Sequence, residues 1–311
     1  MNFQQLEYIT AVDTHRHFAK AAKSCFVTQA TLSMMIQKLE DEMGVKIFDR
    51  SKHPVMPTEI GTKVITQARR VLLEAGRMKE LVKEEMDTVS GELKLGIIPT
   101  LAPYLLPLFL QQFSTTYPKV KLIIHEHTTS TIIEKLKTGL LDAALLATPL
   151  NDNSIIETPL FYEKYFLYVP KNEKDYNKQY ILPKNIDVNK LWLLEEGHCM
   201  RSQILNLCEL KKQHGAEETL HYEAGSIETL KNMVDKNFGI TIIPELATHN
   251  LSAAHKKQLR LFKPPAPVRQ ISIVTHREYI KVQLIKVLQQ AILNIIPANM
   301  KLNKKINVLS I

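Results

Sequence analysis

Along residues 3 to 43, apolar side chains recur at helical spacing: Leu6, Ile9, Ala11 and Val12, then Phe18, Ala19, Ala21 and Ala22, then Leu32, Ile36, Leu39 and Met43. The pattern predicts three short helices whose apolar faces meet in one core. Gly44 stops the third, because a residue free to turn left-handed ends a helix readily. Residues 45 to 57 carry two short β-type runs around Asp49 to Pro54, which suits a small hairpin wing. From Thr58, whose hydroxyl can cap a helix, one amphipathic pattern runs through Ile60, Val64, Ala68, Val71, Ala75, Met78, Val82 and Met86 to about Val89. At about 1.5 Å per residue that helix is on the order of 45 Å long, and so long a stripe needs a partner. A coiled-coil contact with a second copy supplies one; packing on its own domain is the alternative.

Ser90-Gly91 breaks this helix, and the pattern changes. Strand-like runs at Leu93 to Ile98, Val120 to Ile124, Ala143 to Leu146, Phe166 to Val169, Trp192 to Leu194, Gly239 to Ile243 and Ile271 to Val274 come between helical stretches. Those stretches are Leu105 to Thr116, Thr131 to Gly139, Ser226 to Asp235 and Val282 to Ile296. Such alternation predicts an α/β fold with mostly parallel sheets, and the length favours two lobes over one. The last dozen residues read as a loose basic tail.

Composition changes this picture little. In 311 residues, 45% hydrophobic and 23% charged side chains describe a soluble globular chain with room for more than one core. The first residues alternate polar and apolar, unlike a signal peptide, and no run approaches membrane-spanning length, so the cytoplasm is the expected compartment. A disulfide there is expected to be transient and regulatory. The net charge of +8 points toward nucleic acid, but its location does not. Most of the excess lies after Asn250, from Lys256 to Lys305, where Glu278 is the only acid. The DNA argument must therefore come from motif and geometry.

Residues 18 to 61 supply the motif: an Ala-Ala helix, Thr28-Gln29, Leu32-Ser33, Ile36, Leu39-Glu40, Gly44, Phe48, Arg50, Thr58 and Gly61. This order resembles the N-terminal signature of LysR-type transcriptional regulators. The resemblance implies a winged helix-turn-helix over 1-58, a linker and dimerisation helix over 59-89 and a two-lobed, periplasmic-binding-protein-like regulatory domain over 90-311. Lobe I would take about 90-163 and 268-300, lobe II about 164-267. The residues agree independently. Leu32, Ile36 and Leu39 turn one face of the third helix inward, which leaves Gln29, Thr31, Ser33, Met34, Gln37 and Lys38 to meet bases or phosphates in a major groove. Base readout by Met34 would have to be apolar. Arg50, Lys52 and His53 on the wing suit phosphates, although any such cation can equally be a solvated surface charge. Cys25, beside Phe26, reads as a small core residue.

The stretch GHCMRSQILNLCEL holds the other cysteines, Cys199 and Cys208. With Gly197, His198, Arg201 and Gln203 it resembles the peroxide-sensing members of the LysR family, as do Thr100, Thr129, Ser226 to Leu230 and Gly239 to Pro244. Those members commonly have Asp where this chain has Ser202. The resemblance implies that Cys199 is peroxidatic and Cys208 resolving, and that Thr100 and Thr129 bring hydroxyls to the peroxide. Attack requires a thiolate, and His198 and Arg201 flank Cys199 as cations that would favour one. If residues 200 to 208 are helical, positions nine apart are about 13.5 Å apart along the axis. A disulfide tolerates Cα atoms only within about 7 Å. Oxidation would therefore unwind the segment.

Other readings stay open on the residues alone. They are two buried cysteines without redox coupling, a zinc site drawing on Cys199, Cys208, His198 and His214, a small-molecule co-inducer held between the lobes near Thr100 and Thr129, and a thiol peroxidase. The zinc spacing fits no standard ligand pattern. No strong Cys-x-x-Cys partner motif accompanies a peroxidase, and no export leader accompanies a solute-binding protein. The expected state is a regulator, not an enzyme, without cofactor or metal. It would bind double-stranded DNA as a homotetramer built from two dimers and take hydrogen peroxide as its signal, with RNA polymerase as a further candidate partner.

Overall fold

A computed structural model describes residues 1–85, 89–208, 224–277, 279, 281–301 and 307–309. The chain separates into two compact units, Met1–Thr88 and Val89–Ile311.

In the first unit, α1 (Phe3–His15), α2 (Phe18–Ser24) and α3 (Gln29–Met43) bury Ile9, Val12, Ala21, Leu32, Ile36 and Leu39 in a common core. Each start is chemically specified. Asn2 accepts from the Gln5 backbone N–H while the Gln5 side chain accepts from that of Asn2, and Thr28 caps α3 by accepting from the Thr31 N–H. The wing is smaller than its sequence pattern, with only Phe48–Asp49 (β1) pairing antiparallel to Met56–Pro57 (β2). Thr58 Oγ1 accepts from the Gly61 N–H at 2.9 Å and starts α4 (Glu59–Glu85). Gly61 has a steric reason: a Cβ there would lie 1.9 Å from the Ile47 carbonyl oxygen.

The stripe on α4 divides. Ile65 and Ala68 are buried in the unit's own core, with Val64, Val71 and Leu72 packed against it, whereas Ile60 and Met78 are exposed. Self-packing thus accounts for much of the first half, helped by Arg69 Nη2 at 2.6 Å from Asp13 Oδ2 on α1. The Val82 side chain and Met86 lie outside the described residues.

The second unit alternates strand and helix: β3 (Gly91–Ile97), α5 (Ala102–Thr116), β4 (Val120–Glu126), α6 (Thr129–Lys137), β5 (Ala143–Thr148) and the long β6 (Ile155–Tyr168). Then come β7 (Tyr180–Ile181), β8 (Leu191–Trp192), α7 (Cys199–Leu207), α8 (Ile227–Asp235), β9 (Ile240–Pro244), α9 (Ala253–Lys256), β10 (Leu259–Phe262), β11 (Pro267–His276), α10 (Val282–Ile295) and β12 (Asn307–Val308). The strands run in the order β4-β3-β5-β11-β6-β10-β7, with β12 beside β11, β9 beside β6 and β8 beside β9. The first part of β6 pairs with β11 and its last residues, Tyr165 to Tyr168, with β9, so one strand is shared by both halves. The sheet is mixed, which corrects the expectation of mostly parallel pairing. β3 is parallel to β4 and β5, but β11 and β6 cross between the halves in opposite directions and pair antiparallel.

Candidate functional site

The outward face of α3 carries Gln29, Ala30, Thr31, Met34, Gln37 and Lys38, all exposed. Two of the expected base or phosphate readers are partly occupied within the unit. Arg50 Nη1 donates to Ser33 Oγ at 3.1 Å, Arg50 Nη2 lies 3.4 Å from Glu40 Oε2, and the guanidinium stands 5.1 Å over the Phe18 ring. Glu40 is buried and accepts from the Ile47 and Phe48 N–H groups, so Arg50 ties the wing to α3. Lys52 remains exposed, with only a 3.8 Å approach to Asp49. Sequence reasoning gave no weight to Phe26 beyond its place beside Cys25. It is 95% exposed and adopts a left-handed φ of 58°, an unusual combination for a bulky side chain. Cys25 packs against the core, as a small apolar residue would, and burial raises its thiol pKa.

The second site lies where three strand-to-helix turns of the second unit meet. Thr100 sits between β3 and α5, Thr129 opens α6, and Cys199 opens α7 with His198 as its N-cap. Ile98, Pro99, Thr100, Thr128, Thr129, Gly197, His198 and Cys199 line one narrow cleft. It encloses about 140 Å³, part of it open to solvent, none of it roomy enough for a water molecule. Gly197 makes the turn with φ +95°, which L side chains rarely adopt. Helix N-termini present unsatisfied N–H groups and a positive dipole end, so this is a place where negative charge is favoured.

Cys199 is 5% exposed. Burial is the dominant influence and raises its thiol pKa; against it act the Thr129 hydroxyl, the Arg269 guanidinium and the N–H groups of Met200 and Cys199. Thr129 Oγ1 is itself buried without a well-aligned hydrogen-bond partner. Cys208 is the C-cap of α7, its N–H donating to the Ile204 carbonyl, and burial pushes its thiol up to about 11. All the cysteines are free.

The cation near Cys199 is not the one expected. Arg201 is turned away, its Nη1 donating to the Leu194 carbonyl at 2.8 Å, because the first turn of α7 directs it back toward the segment that follows β8. His198 is buried in the cleft wall with Nε2 at 3.6 Å from Glu195 Oε1. Arg269 supplies the charge instead. Fully buried, it donates through Nε to Glu163 Oε2 at 2.7 Å, through Nη1 to Thr100 Oγ1 at 3.0 Å and through Nη2 to the Thr100 carbonyl at 3.1 Å. Glu163 also accepts from the Leu246 N–H at 3.0 Å, so the pair is held from both halves. Its signal in the sequence was a lone Arg inside the apolar run of β11, legible only as part of the basic excess. For the zinc reading, His214 lies outside the described residues; among those described, no three His, Cys, Asp or Glu side chains are grouped to hold a metal. No described helix is long and apolar enough to cross a membrane.

Family models match on both units. Residues 3–62 match the bacterial regulatory helix-turn-helix protein of the lysR family, and residues 87–294 match the LysR substrate binding domain. The chain belongs to the LysR family. Among curated LysR-family proteins, the hydrogen peroxide-inducible genes activator of Pectobacterium carotovorum is 41% identical over 247 residues, 79% of this chain and 81% of that one. The DNA-binding transcriptional dual regulator OxyR of Escherichia coli K12 is 39% identical over 277 residues, 88% and 89% of the two chains. A solved full-length OxyR variant from Pseudomonas aeruginosa superposes with a TM-score of 0.80 at 33% identity, covering 94% of this chain and 98% of that one. The part of the chain that matches the LysR substrate binding domain thus bears the cleft that holds Cys199.

Proposed function

We propose that this LysR-family regulator senses hydrogen peroxide by converting Cys199 and Cys208 to a reversible intramolecular disulfide, and passes the change to its DNA contacts. One observation carries the reading: Cys199 and Cys208 occupy the two ends of a single helix, the first beside the cleft, Thr129 and Arg269. Similarity to peroxide-inducible activators over most of the chain supports it.

The chemistry follows from those positions. The Cys199 thiolate attacks one peroxide oxygen, the O–O bond breaks, and hydroxide leaves and takes up a proton to become water. The sulfenic acid so formed is attacked by the Cys208 thiolate, the S–O bond breaks, and a second water leaves. Arg269, Thr129 and the N-terminus of α7 favour the attacking thiolate, while Thr100, held by Arg269, and Thr129 border the space that peroxide would enter. Burial acts the other way, so the reduced state stores mainly thiol, and the cleft walls must part before an oxidant reaches the sulfur. The second step cannot occur within α7, since its ends are about 13.5 Å apart along the axis and a disulfide needs about 7 Å or less. Unwinding couples the bond to a change of shape.

Domain limits of 1–58, 59–89 and 90–311, duplex DNA as partner, the cytoplasm as compartment and a dimer of dimers belong to the same proposal. So does a stoichiometric, non-enzymatic role, with RNA polymerase as a further contact. The exposed Ile60 and Met78 on α4 leave apolar surface for a second copy. The test is the DNA footprint of the purified chain before and after one equivalent of peroxide per subunit. The footprint should change, revert with a dithiol, and stay fixed in Cys199→Ser. A footprint indifferent to peroxide but shifted by a small metabolite would support a co-inducer in the same cleft.

A further inference from the structure

We propose that Met34 is a specificity-determining residue that selects a thymine in each half-site through its 5-methyl group. The proposal rests on the DNA-binding reading and is independent of the peroxide switch.

Residues 30, 34, 37, 38 and 41 form one exposed stripe on α3, and Met34 is at its centre with 63% of its surface exposed. Nothing in the unit's core requires a thioether there. Apart from Gln29, its neighbours toward the N-terminus of α3, the end that a recognition helix presents to bases, offer little polar chemistry. Ala30 has none. The Thr31 hydroxyl is engaged with the Thr28 hydroxyl at 2.9 Å, and the Ser33 hydroxyl accepts from Arg50. What this part of the face presents is a methyl, a threonine side chain with its hydroxyl engaged and a long, polarizable thioether. In the major groove the thymine methyl is the apolar feature that distinguishes an A·T pair, so an apolar reader has one complement. Polar readout is left to Gln29 and Gln37. Lys38 on the stripe and Lys52 on the wing supply the positive charge that keeps such a face against phosphates.

The experiment uses the full chain, kept reduced, with a randomised duplex pool to define the preferred half-site for the wild type, Met34→Ala and Met34→Gln. Each thymine of the enriched site is then replaced singly by deoxyuridine, which removes the methyl and leaves base pairing intact. One thymine per half-site should cost the wild type about fourfold in affinity on losing its methyl, the worth of one buried methyl group. The same replacement should cost Met34→Ala nothing, and Met34→Gln should shift its preference there toward adenine. Met34 is exposed, so both variants should melt with the wild type. A uracil penalty that is the same in wild type and Met34→Ala at every position overturns the proposal, as does a pool in which no sequence is enriched. Peroxide plays no part in the assay, so failure of the redox reading leaves the result unaffected.

Discussion

Cys199 begins α7 and Cys208 is its C-cap, so the helical backbone between them holds the two residues apart. A helix of nine residues is a modest barrier, since so short a helix depends on tertiary packing for its stability. Met200, Gln203 and Ile204 supply that packing, with Gln203 Oε1 accepting from the Tyr165 hydroxyl at 2.6 Å. The disulfide and the packed helix are therefore alternatives.

Arg269 sits where a mutation separates fold from chemistry. In Arg269→Met, Glu163 loses its fully buried ion-pair partner, and a cost of about 3–5 kcal/mol is expected in thermal or denaturant melts. Adding Glu163→Gln should recover much of that loss by removing the orphan charge. Alkylation of Cys199 near neutral pH, followed by mass spectrometry, should stay slower than wild type in both variants, because the cation that favours thiolate is gone from both.

The thiols also set an alkaline limit. Cys208 holds its proton more tightly in the fold than in the unfolded chain, its pKa rising from 9.0 to about 11. The unfolded state therefore loses that proton first, so stability is full below about pH 9 and falls as pH climbs toward about 11. Denaturant midpoints measured across that window should decline in the wild type and decline less in Cys208→Ser. Burial of Cys199 acts in the same direction.

Arg50 and Lys52 share a wing but not a role. Arg50→Ala breaks its approaches to Ser33 and Glu40 and should lower the melting temperature of the first unit. Lys52→Ala removes an exposed charge and should leave the melt unchanged. In DNA titrations over a salt series, it should weaken binding evenly across sequences and reduce the log–log salt slope by about 1.

Phe26 tests whether its backbone is held under strain. A non-glycine residue in the left-handed region costs roughly 1–2 kcal/mol, less for Asn, whose side chain tolerates it. Because the ring is exposed, Phe26→Asn gives up little packing and should raise the melting temperature. Weaker DNA binding by this more stable variant would mark the ring as a contact.

The helices of the first unit were legible because each buries one face, and a single buried face writes its period into the sequence. The fate of the α4 stripe was less so: the same apolar pattern serves an intramolecular core as well as a partner, and Ile65, outside the expected stripe, is one of the residues buried. In the second unit the first part of β6 was missed, since Glu157, Pro159, Glu163 and Lys164 interrupt its apolar run. Glu163 is there for a partner 106 residues away, Arg269, and a pairing of that kind leaves no local pattern. Sequence neighbours of Cys199 were read as its electrostatic environment, yet a helix projects Arg201 away from the residue it follows. The charge beside the thiol comes from another strand, and only the fold could reveal it.

The most direct test of the redox account is intact mass with thiol mapping on the reduced chain, before and after one equivalent of hydrogen peroxide. The account predicts a loss of about two mass units, a Cys199–Cys208 linkage reversed by dithiol, and a free Cys25 throughout, with Cys199→Ser and Cys208→Ser forming no such linkage. A chain that keeps both thiols after peroxide, or links Cys25 instead, would contradict it.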